Sequence, residues 1–299
     1  MTGKLLIILG QFSFLLLVAP LINGIIKKSK ALLQCRRGPS LLQPYFDIIK
    51  FLRRESVVSV HTSWLTQLTP IICLASYLVA GSMIPLWQHE NLGIGDMIAL
   101  TYLFAMARFF LALAALEPAS AFGGMGSSRE MMISSLVEPV MVVGLFSLAA
   151  TAGTTDINGI MGAGQNPAGL LTFIGLLIVV LAETGRIPVD NPDTHLELTM
   201  VHEGMLLEYA GRQVGLLHLA AMIKQVVLLI LLIHLFWPQN PNAPVYVALV
   251  LIFAKVSFLG LVLAMIESAL AKMRLFKLPE LMAGGMAFCL LAVLSTYLI

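Results

Sequence analysis

The chain has 299 residues, of which 59% are hydrophobic and 11% are charged, and its net charge is +2. Soluble domains carry about twice that charged fraction, so this composition excludes a water-soluble protein and predicts an all-α bundle that spans a lipid bilayer. The small net charge gives no reason to expect a nucleic-acid partner. Three cysteines without C-x-x-C spacing disfavour a disulfide framework or a cysteine-held cluster.

Eight apolar runs are long enough to cross about 30 Å of hydrocarbon. Because they cover most of the chain, we expect residues 1–299 to form a single integral membrane domain. The first run lacks a convincing small-residue cleavage site, so we expect it to be retained as a span rather than removed as a signal. The eight spans are predicted near 5–26, 65–87, 96–117, 131–152, 167–183, 215–237, 244–270 and 280–298.

Lysine and arginine are distributed unevenly between the predicted loops. The loops after spans 1, 3, 5 and 7 hold fourteen of the eighteen residues of these two types. Because cytoplasmic loops of cell-membrane proteins are enriched in Lys and Arg, the odd-numbered loops are predicted to be cytoplasmic and both termini to lie outside. The fourteen are Lys27, Lys28, Lys30, Arg36, Arg37, Lys50, Arg53, Arg54, Arg129, Arg186, Arg212, Lys272, Arg274 and Lys277.

The first cytoplasmic loop contains a segment, residues 41–54, in which apolar side chains recur at helical spacing and cations lie off that stripe. This pattern predicts an amphipathic helix lying in the membrane interface. Anchoring to the bilayer alone would be enough to explain it. The apolar stripe comprises Tyr45, Ile48, Ile49 and Leu52, and the cations beside it are Lys50, Arg53 and Arg54.

The third loop contains Gly123-Gly124-Met125-Gly126. A phosphate-binding loop needs a preceding strand and a Lys-Ser/Thr signature, and both are absent from the sequence here. We therefore expect these glycines to form a tight turn.

The fifth loop, residues 181–212, carries six of the sixteen acidic residues in otherwise apolar surroundings. Pro188 and Pro192 interrupt the backbone early in the loop. Acidic groups in an apolar setting are costly, so their concentration in one loop is the first indication of function.

After these prolines, residues 194–197 read as a capping box that opens a helix, and Gly211 is placed to end it. On such a helix Glu197 and Glu208 are eleven residues apart and would share a face, about 16 Å apart along the axis. His195 and His202 lack the four-residue spacing of a zinc motif, so no metal site is predicted.

Seven ionisable residues fall inside the predicted spans, where each is unfavourable unless it is paired or hydrated. Glu117 and Glu267 lie near span ends and could reach headgroups or pair with loop cations, whereas Glu138 and Glu183 lie deeper. Lys224 and Lys255 could neutralise acids in a hydrated interior or could extend to the interface. Arg108 completes the seven.

The sequence shows neither a Ser-His-Asp arrangement nor a dinucleotide fingerprint, so no catalytic residue is predicted. Buried acids and bases that open on a basic cytoplasmic face leave three functions possible. These are proton or ion conduction, a cavity for a lipid-soluble substrate, and a docking platform for a cytoplasmic redox module.

Two loop motifs then identify a family resemblance. RRGP at residues 36–39 with QPYFDIIK at 43–50 resembles the first loop of subunit 1 of respiratory complex I. AETGRIPVD at 182–190, with EL at 197–198 and EYAG at 208–211, is similar to the fifth loop of the same subunit. The resemblance covers nearly the whole chain, with eight spans in the same order.

Within this family, the chain looks most like the membrane subunit of energy-converting (group 4) hydrogenases and formate hydrogenlyase of the hydrogenase-4 type. Only three residues separate Gly38-Pro39 from Gln43-Pro44, and Gly185 and Asn191 stand where complex I usually has Asn and Leu. The quinone-chamber subunit of an NADH:quinone oxidoreductase stays open as an alternative. A stand-alone ion transporter is a second alternative, although inverted repeats are not visible.

The resemblance implies a non-catalytic subunit that binds no cofactor alone. It would anchor a hydrogenase-like large subunit, with or without a nickel–iron centre, and a small subunit that carries iron–sulfur clusters. It would relay redox energy to antiporter-like membrane subunits. Quinone is implied only in the alternative. The predicted proton or sodium relay comprises Glu138, Glu183, Asp190, Glu197, Glu208, Lys224 and Lys255. The predicted docking or cavity residues are Arg36, Arg37, Asp47, Lys50 and Arg186.

Overall fold

The computed structural model describes residues 2–57, 62–86, 95–190, 201–238 and 243–298. These residues form α-helices joined by loops and two 3₁₀ turns, so the predicted all-α class is confirmed. The helices are α1 (Thr2–Leu33), α2 (Gln43–Leu52), α3 (Trp64–Met83), α4 (Met97–Leu116), α5 (Ala121–Ala152), α6 (Ile157–Ile160), α7 (Pro167–Glu183), α8 (His202–Leu206), α9 (Arg212–Phe236), α10 (Val245–Ala269) and α11 (Leu278–Leu298).

The predicted bundle of about eight spans is confirmed within that description. Seven of the described helices are long and apolar enough to cross a bilayer, and α7 with the short helical segment before it makes an eighth candidate, bent by 110°. The chain is therefore an integral membrane protein. Helix α1 continues to Leu33, seven residues beyond its predicted span, because the polar residues 27–30 continue the helix past the apolar run.

The predicted tight turn at residues 123–126 is wrong, because these residues lie in the first turns of α5. The Ser120 hydroxyl caps the helix by accepting a hydrogen bond from the Gly123 amide, 3.1 Å away. A Cβ at Gly123 would strike the Ala115 carbonyl, and one at Gly126 would lie 3.0 Å from the Val201 carbonyl oxygen. The glycines thus permit close packing of backbones.

The predicted amphipathic helix is confirmed as α2. Pro44 and Ile48 are buried, and the Phe51 ring stacks on His218 of α9 at 5.6 Å. Of the predicted apolar stripe, Ile49 is 46% exposed and Leu52 is 39% exposed. One side of α2 therefore packs on the bundle, while the other presents apolar surface, as expected of a helix in a membrane interface.

The odd-numbered loops meet at one end of the bundle. Loops one and three are joined where the Ser63 amide donates to Glu117 at 2.6 Å, and loops five and seven where the Met273 amide donates to the Pro188 carbonyl at 2.9 Å. Gly211 of loop five packs on the Glu55 backbone of loop one and links the two pairs. At the other end, the Gly162 amide donates to the His234 carbonyl. The basic loops thus share one end, and its cytoplasmic orientation stays a prediction.

The helix predicted from residue 194 to Gly211 is wrong in its described part. Residues 191–200, which include Glu197 and the capping box, lie outside the described residues. Helix α8 covers only His202–Leu206, and Glu208 lies in the turn after it, so Glu208 is not on a helical face. Gly211, at φ +55°, precedes α9 and packs against the Glu55 backbone, a contact that a side chain would prevent.

Candidate functional site

A buried arginine joins the two deep acids of the predicted relay. Arg108 of α4 is 3% exposed, and its Nη1 donates to Glu183 Oε2 of α7 at 2.7 Å. Its Nη2 donates to Glu138 Oε1 of α5 at 2.7 Å, and the Ser134 hydroxyl donates to the same oxygen at 2.8 Å. The planar fork of a guanidinium suits such a bridge. Arg108 is absent from the predicted relay because the sequence around a single arginine in an apolar span does not indicate which acids it contacts.

Glu183 lies between two cations. In addition to Arg108, Lys224 Nζ of α9 is 3.0 Å from Glu183 Oε1, and both side chains are almost fully buried. Removing either partner from such a pair leaves an uncompensated buried charge, whereas the complete group offsets much of the desolvation penalty. The geometry therefore favours the ionised form of Glu183.

Asp190 ties the fifth loop to the seventh. Lys272 Nζ lies 2.7 Å from Asp190 Oδ1, and the Val201 amide donates to Asp190 Oδ2 at 3.3 Å. Asp190 is 6% exposed. It thus lies just beneath the loops at the basic end of the bundle.

A second buried charge cluster surrounds Glu267 of α10. Arg186 Nη1 donates to Glu267 at 2.5 Å and its Nη2 to Gln225 at 2.7 Å, while Lys30 Nζ lies 3.3 Å from Glu267. Of the two alternatives left open for Glu267, the structure shows pairing with cations of the loop regions. Arg186 lies inside the bundle, so its position does not suit direct contact with a soluble partner.

Glu117 joins the N-terminus of α3 to the end of α4. Its carboxylate accepts hydrogen bonds from the amides of Ser63 and Thr66, at 2.6 Å and 3.2 Å, and from the Thr66 hydroxyl. Desolvation raises the pKa of Glu117, but these hydrogen bonds outweigh it and leave the pKa below its usual value. Glu117 therefore links two helix ends and is not part of either buried charge cluster.

A cavity of about 50 Å³ brings three of the predicted relay residues together. A single water needs roughly 10–15 Å³ of such volume, so the cavity has room for a few water molecules. Burial, with a smaller contribution from Lys224, lowers the pKa of His202 to about 4, so that its imidazole is neutral near pH 7. The ionisable residues in the wall are Glu130, Glu183, Asp190, His202 and Lys224. Glu130 and His202 were not predicted as part of the relay.

A larger groove of about 610 Å³ runs between α4 and α5 on the outside of the bundle. Arg108 and Glu138 lie in its wall among apolar residues. The Glu138 side chain is 43% exposed, although that of Arg108 is only 4% exposed. A carboxylate on the outer face of a membrane span requires water or protein around it. Water in the groove, or a protein surface covering it, would meet this requirement.

The remaining predicted relay residues lie elsewhere. Lys255 Nζ donates to the Trp237 carbonyl at 2.9 Å, at the far end of α9, and lies 5.7 Å from the Trp237 ring centroid. Glu208 is half-buried in the turn after α8, and Glu197 lies outside the described residues. The structure thus brings together Glu138, Glu183, Asp190 and Lys224 but not Lys255.

The predicted docking residues divide between surface and interior. Arg36, Arg37 and Lys50 are exposed at the basic end, and Asp47 is partly exposed beside Gln43, whose amide donates to it at 2.9 Å. Only Arg186 is buried. Among the described residues, no group of three or more His, Cys, Asp or Glu side chains is placed to hold a metal ion.

Comparison with known proteins gives a consistent set of similarities. A sequence model of the NADH dehydrogenase family matches residues 5–298. Formate hydrogenlyase subunit 4 of Escherichia coli is 35% identical, covering 95% of this chain and 96% of the relative. Hydrogenase-4 component C of the same organism is 34% identical, covering 95% and 93%. NADH-quinone oxidoreductase subunit 8 of Rhodothermus marinus is 25% identical, covering 75% and 70%.

A solved structure shares the fold. A chain of the membrane-bound sulfane sulfur reductase, described as an archaeal respiratory membrane complex, superposes with a TM-score of 0.82 at 19% identity, covering 97% of this chain and 99% of that one. The predicted resemblance is confirmed, both to the family as a whole and to its hydrogenase-type members. The family model fits nearly the whole chain, and identity to the two hydrogenase-type relatives exceeds that to the NADH-quinone oxidoreductase relative.

Proposed function

Since the chain belongs to the NADH dehydrogenase family, we propose that it is the membrane-anchoring and ion-coupling subunit of a formate hydrogenlyase or hydrogenase-type complex. The chain itself carries out no redox chemistry. A hydrogenase-like large subunit and an iron–sulfur small subunit dock on its basic loops, and those partners carry the iron–sulfur clusters and any nickel–iron centre. Antiporter-like membrane subunits adjoin it within the bilayer.

The observation that carries this proposal is the extent of the buried charge group. It begins at Asp190 beneath the basic loops, continues past the cavity to Lys224 and Glu183, and passes through Arg108 to Glu138 on the groove. A redox module above the loops and a membrane subunit in the groove would therefore contact opposite ends of the same group.

Electrostatics is strong enough for such a group to respond to a redox centre. A unit charge that appears about 10 Å from a carboxylate changes its energy by roughly 1.7 kcal/mol at an effective dielectric constant of about 20. That energy is more than a tenfold change in proton affinity. Coupled acids would share the change, so proton or sodium occupancy would follow electron transfer.

A quinone-chamber role is the second candidate, favoured by the NADH-quinone oxidoreductase relative at 25% identity. The groove of about 610 Å³ is also within the usual size range of small-molecule sites. The two candidates differ in the soluble subunits that should accompany the chain.

Purification of the complex through a tag on this chain distinguishes them. We expect a mild detergent extract to yield soluble subunits that contain iron–sulfur clusters and support hydrogen or formate turnover. Flavin-containing subunits that oxidise NADH and reduce quinone would instead establish the second candidate. Isolation of the chain alone, from membranes in which the candidate partners are present, would contradict both.

Arg37→Ala tests the docking face in the same purification. Arg37 is exposed next to Arg36 at the basic end. An arginine desolvated in an interface contributes far more to binding than an exposed ion pair does. We therefore expect Arg37→Ala to weaken binding of the soluble subunits about tenfold and to lower their recovery accordingly. Lys277→Ala removes an exposed cation from the same end and should leave recovery unchanged. Equal recovery in both variants would remove Arg37 from the docking face.

Orientation is testable with single cysteines in a chain that lacks Cys35, Cys73 and Cys289. Ser40 and Ser268 are exposed at the basic end, and Gln165 is exposed at the other end. With a membrane-impermeant thiol reagent added to intact cells, Gln165→Cys should be labelled, whereas Ser40→Cys and Ser268→Cys should be labelled only after permeabilisation. The opposite pattern would place the basic loops outside the cell.

A further inference from the structure

Glu130 of α5 differs from the other two acids in the wall of the small cavity. Glu183 has Arg108 and Lys224 as partners, and Asp190 has Lys272. Within the described ranges of the chain, Glu130 makes neither a hydrogen bond nor an ion pair, although it lines the same cavity. One acid of the three thus lacks a cation of its own.

This difference determines which acid gains a proton most readily. A cation at ion-pair distance favours the charged form of a carboxyl group, whereas neighbouring carboxylates and partial burial favour the protonated form. Lys224 is the cation of the cavity wall, and it is already 3.0 Å from Glu183. Glu183, between two cations, is therefore held in its charged form, and Glu130 is the carboxyl group placed to change its protonation.

The cavity supplies a route between these groups. Its volume of about 50 Å³ has room for a few water molecules in contact with Glu130, Glu183 and Lys224. Glu183 Oε1 has Lys224 nearby but lacks a well-aligned hydrogen bond, so it retains a lone pair for a water. His202 in the wall is neutral near pH 7 and does not hold Glu130 ionised.

We propose that Glu130 is the proton-binding residue of this cavity, exchanging its proton through water with the group around Glu183. On uptake, an O–H bond forms on the Glu130 carboxylate, and the donating water is reprotonated from the basic-loop end. On release, the proton returns to the cavity water beside Glu183, and the carboxylate is restored. This inference rests on the proposed ion-coupling function and names a site for it.

Three variants in the assembled complex test the site, with the complex reconstituted in sealed vesicles. Glu130→Gln cannot ionise, so translocation per electron should be lost while assembly and electron transfer to an artificial acceptor persist. The protonated-carboxyl band of Glu130 should also vanish from the redox-induced infrared difference spectrum. Glu130→Asp keeps an ionisable group and should retain part of the translocation. Ala221→Leu fills the cavity without removing any ionisable group and should reduce translocation strongly.

Glu203→Gln is the matched control, because Glu203 lies on α8 close by but is not part of the cavity wall. It should translocate normally. Normal translocation in Glu130→Gln, together with its loss in Glu183→Gln, would overturn the role of Glu130 and leave the proposed function standing. Normal translocation in both would overturn the proposed function. If Glu130→Gln fails to assemble, Ala221→Leu decides, since normal translocation in that variant excludes the water route.

Discussion

Replacing Arg108 by alanine is expected to destabilise the complex by about 3–5 kcal/mol, the usual cost of breaking a buried ion pair by removal of one partner. Arg108 is 3% exposed and bridges Glu138 and Glu183, each at 2.7 Å. Its loss would leave Glu138 without its cation and Glu183 with Lys224 alone. Thermal unfolding of the detergent-solubilised complex measures the effect.

Two further arginine variants calibrate this result. Arg108→Lys keeps the charge but replaces the guanidinium fork with a single ammonium, so an intermediate loss is expected. Arg212→Ala removes an exposed arginine at the start of α9, and its effect should stay within about 0.5 kcal/mol. If Arg108→Ala were as stable as the Arg212 variant, the bridge between the two acids would not exist in the assembled complex.

Hydropathy alone was enough to predict the spans, because a long apolar run indicates a helix that is surrounded by lipid or by other helices. The acids in those runs could also be singled out, since an ionisable group in such a place is costly without a partner. Identifying the partners was a different problem. Arg108 and Glu183 are 75 residues apart and meet only through the packing of α4, α5 and α7.

Glu130 was missed for a related reason. The glycines at 123, 124 and 126 favoured a turn, and this interpretation placed Glu130 in a loop outside the fourth span. In the structure those glycines lie within α5, where Gly123 and Gly126 allow the backbones near Ala115 and Val201 to approach, and Glu130 reaches the cavity. Local propensity cannot distinguish glycine at a turn from glycine at a helix contact.

The fifth loop shows the same limit. Gly211 was interpreted as the end of a helix, a common use of glycine with positive φ. Its φ is indeed +55°, but the glycine introduces α9 and lets the chain pack on Glu55, from a distant part of the sequence. Tertiary contact, rather than the local signal, determines the role of Gly211.

Glu183→Gln is expected to have the largest effect on function. The amide keeps the shape of the side chain and can accept the hydrogen bond from Arg108, but it cannot carry charge. It leaves Lys224 without its nearest carboxylate, which threatens assembly. The double variant Glu183→Gln/Lys224→Met removes one charge of each sign, so it should recover assembly without recovering translocation.

Glu267→Gln provides the matched control. Glu267 is 2% exposed and also lies between two cations, Arg186 and Lys30, but in the second cluster. If translocation depends on the group that contains Glu183, neutralising Glu267 should lower stability and leave the ratio of ions to electrons unchanged in the complexes that assemble.

The number of ions translocated per electron, measured in sealed vesicles containing the assembled complex, is the most direct test of coupling through the buried charge group. Coupling through Glu183 predicts that this ratio falls to background in Glu183→Gln and in Glu183→Gln/Lys224→Met, while Glu267→Gln keeps the wild-type ratio. A wild-type ratio in the assembled Glu183 variants would contradict it, as would an equal loss in the Glu267 variant.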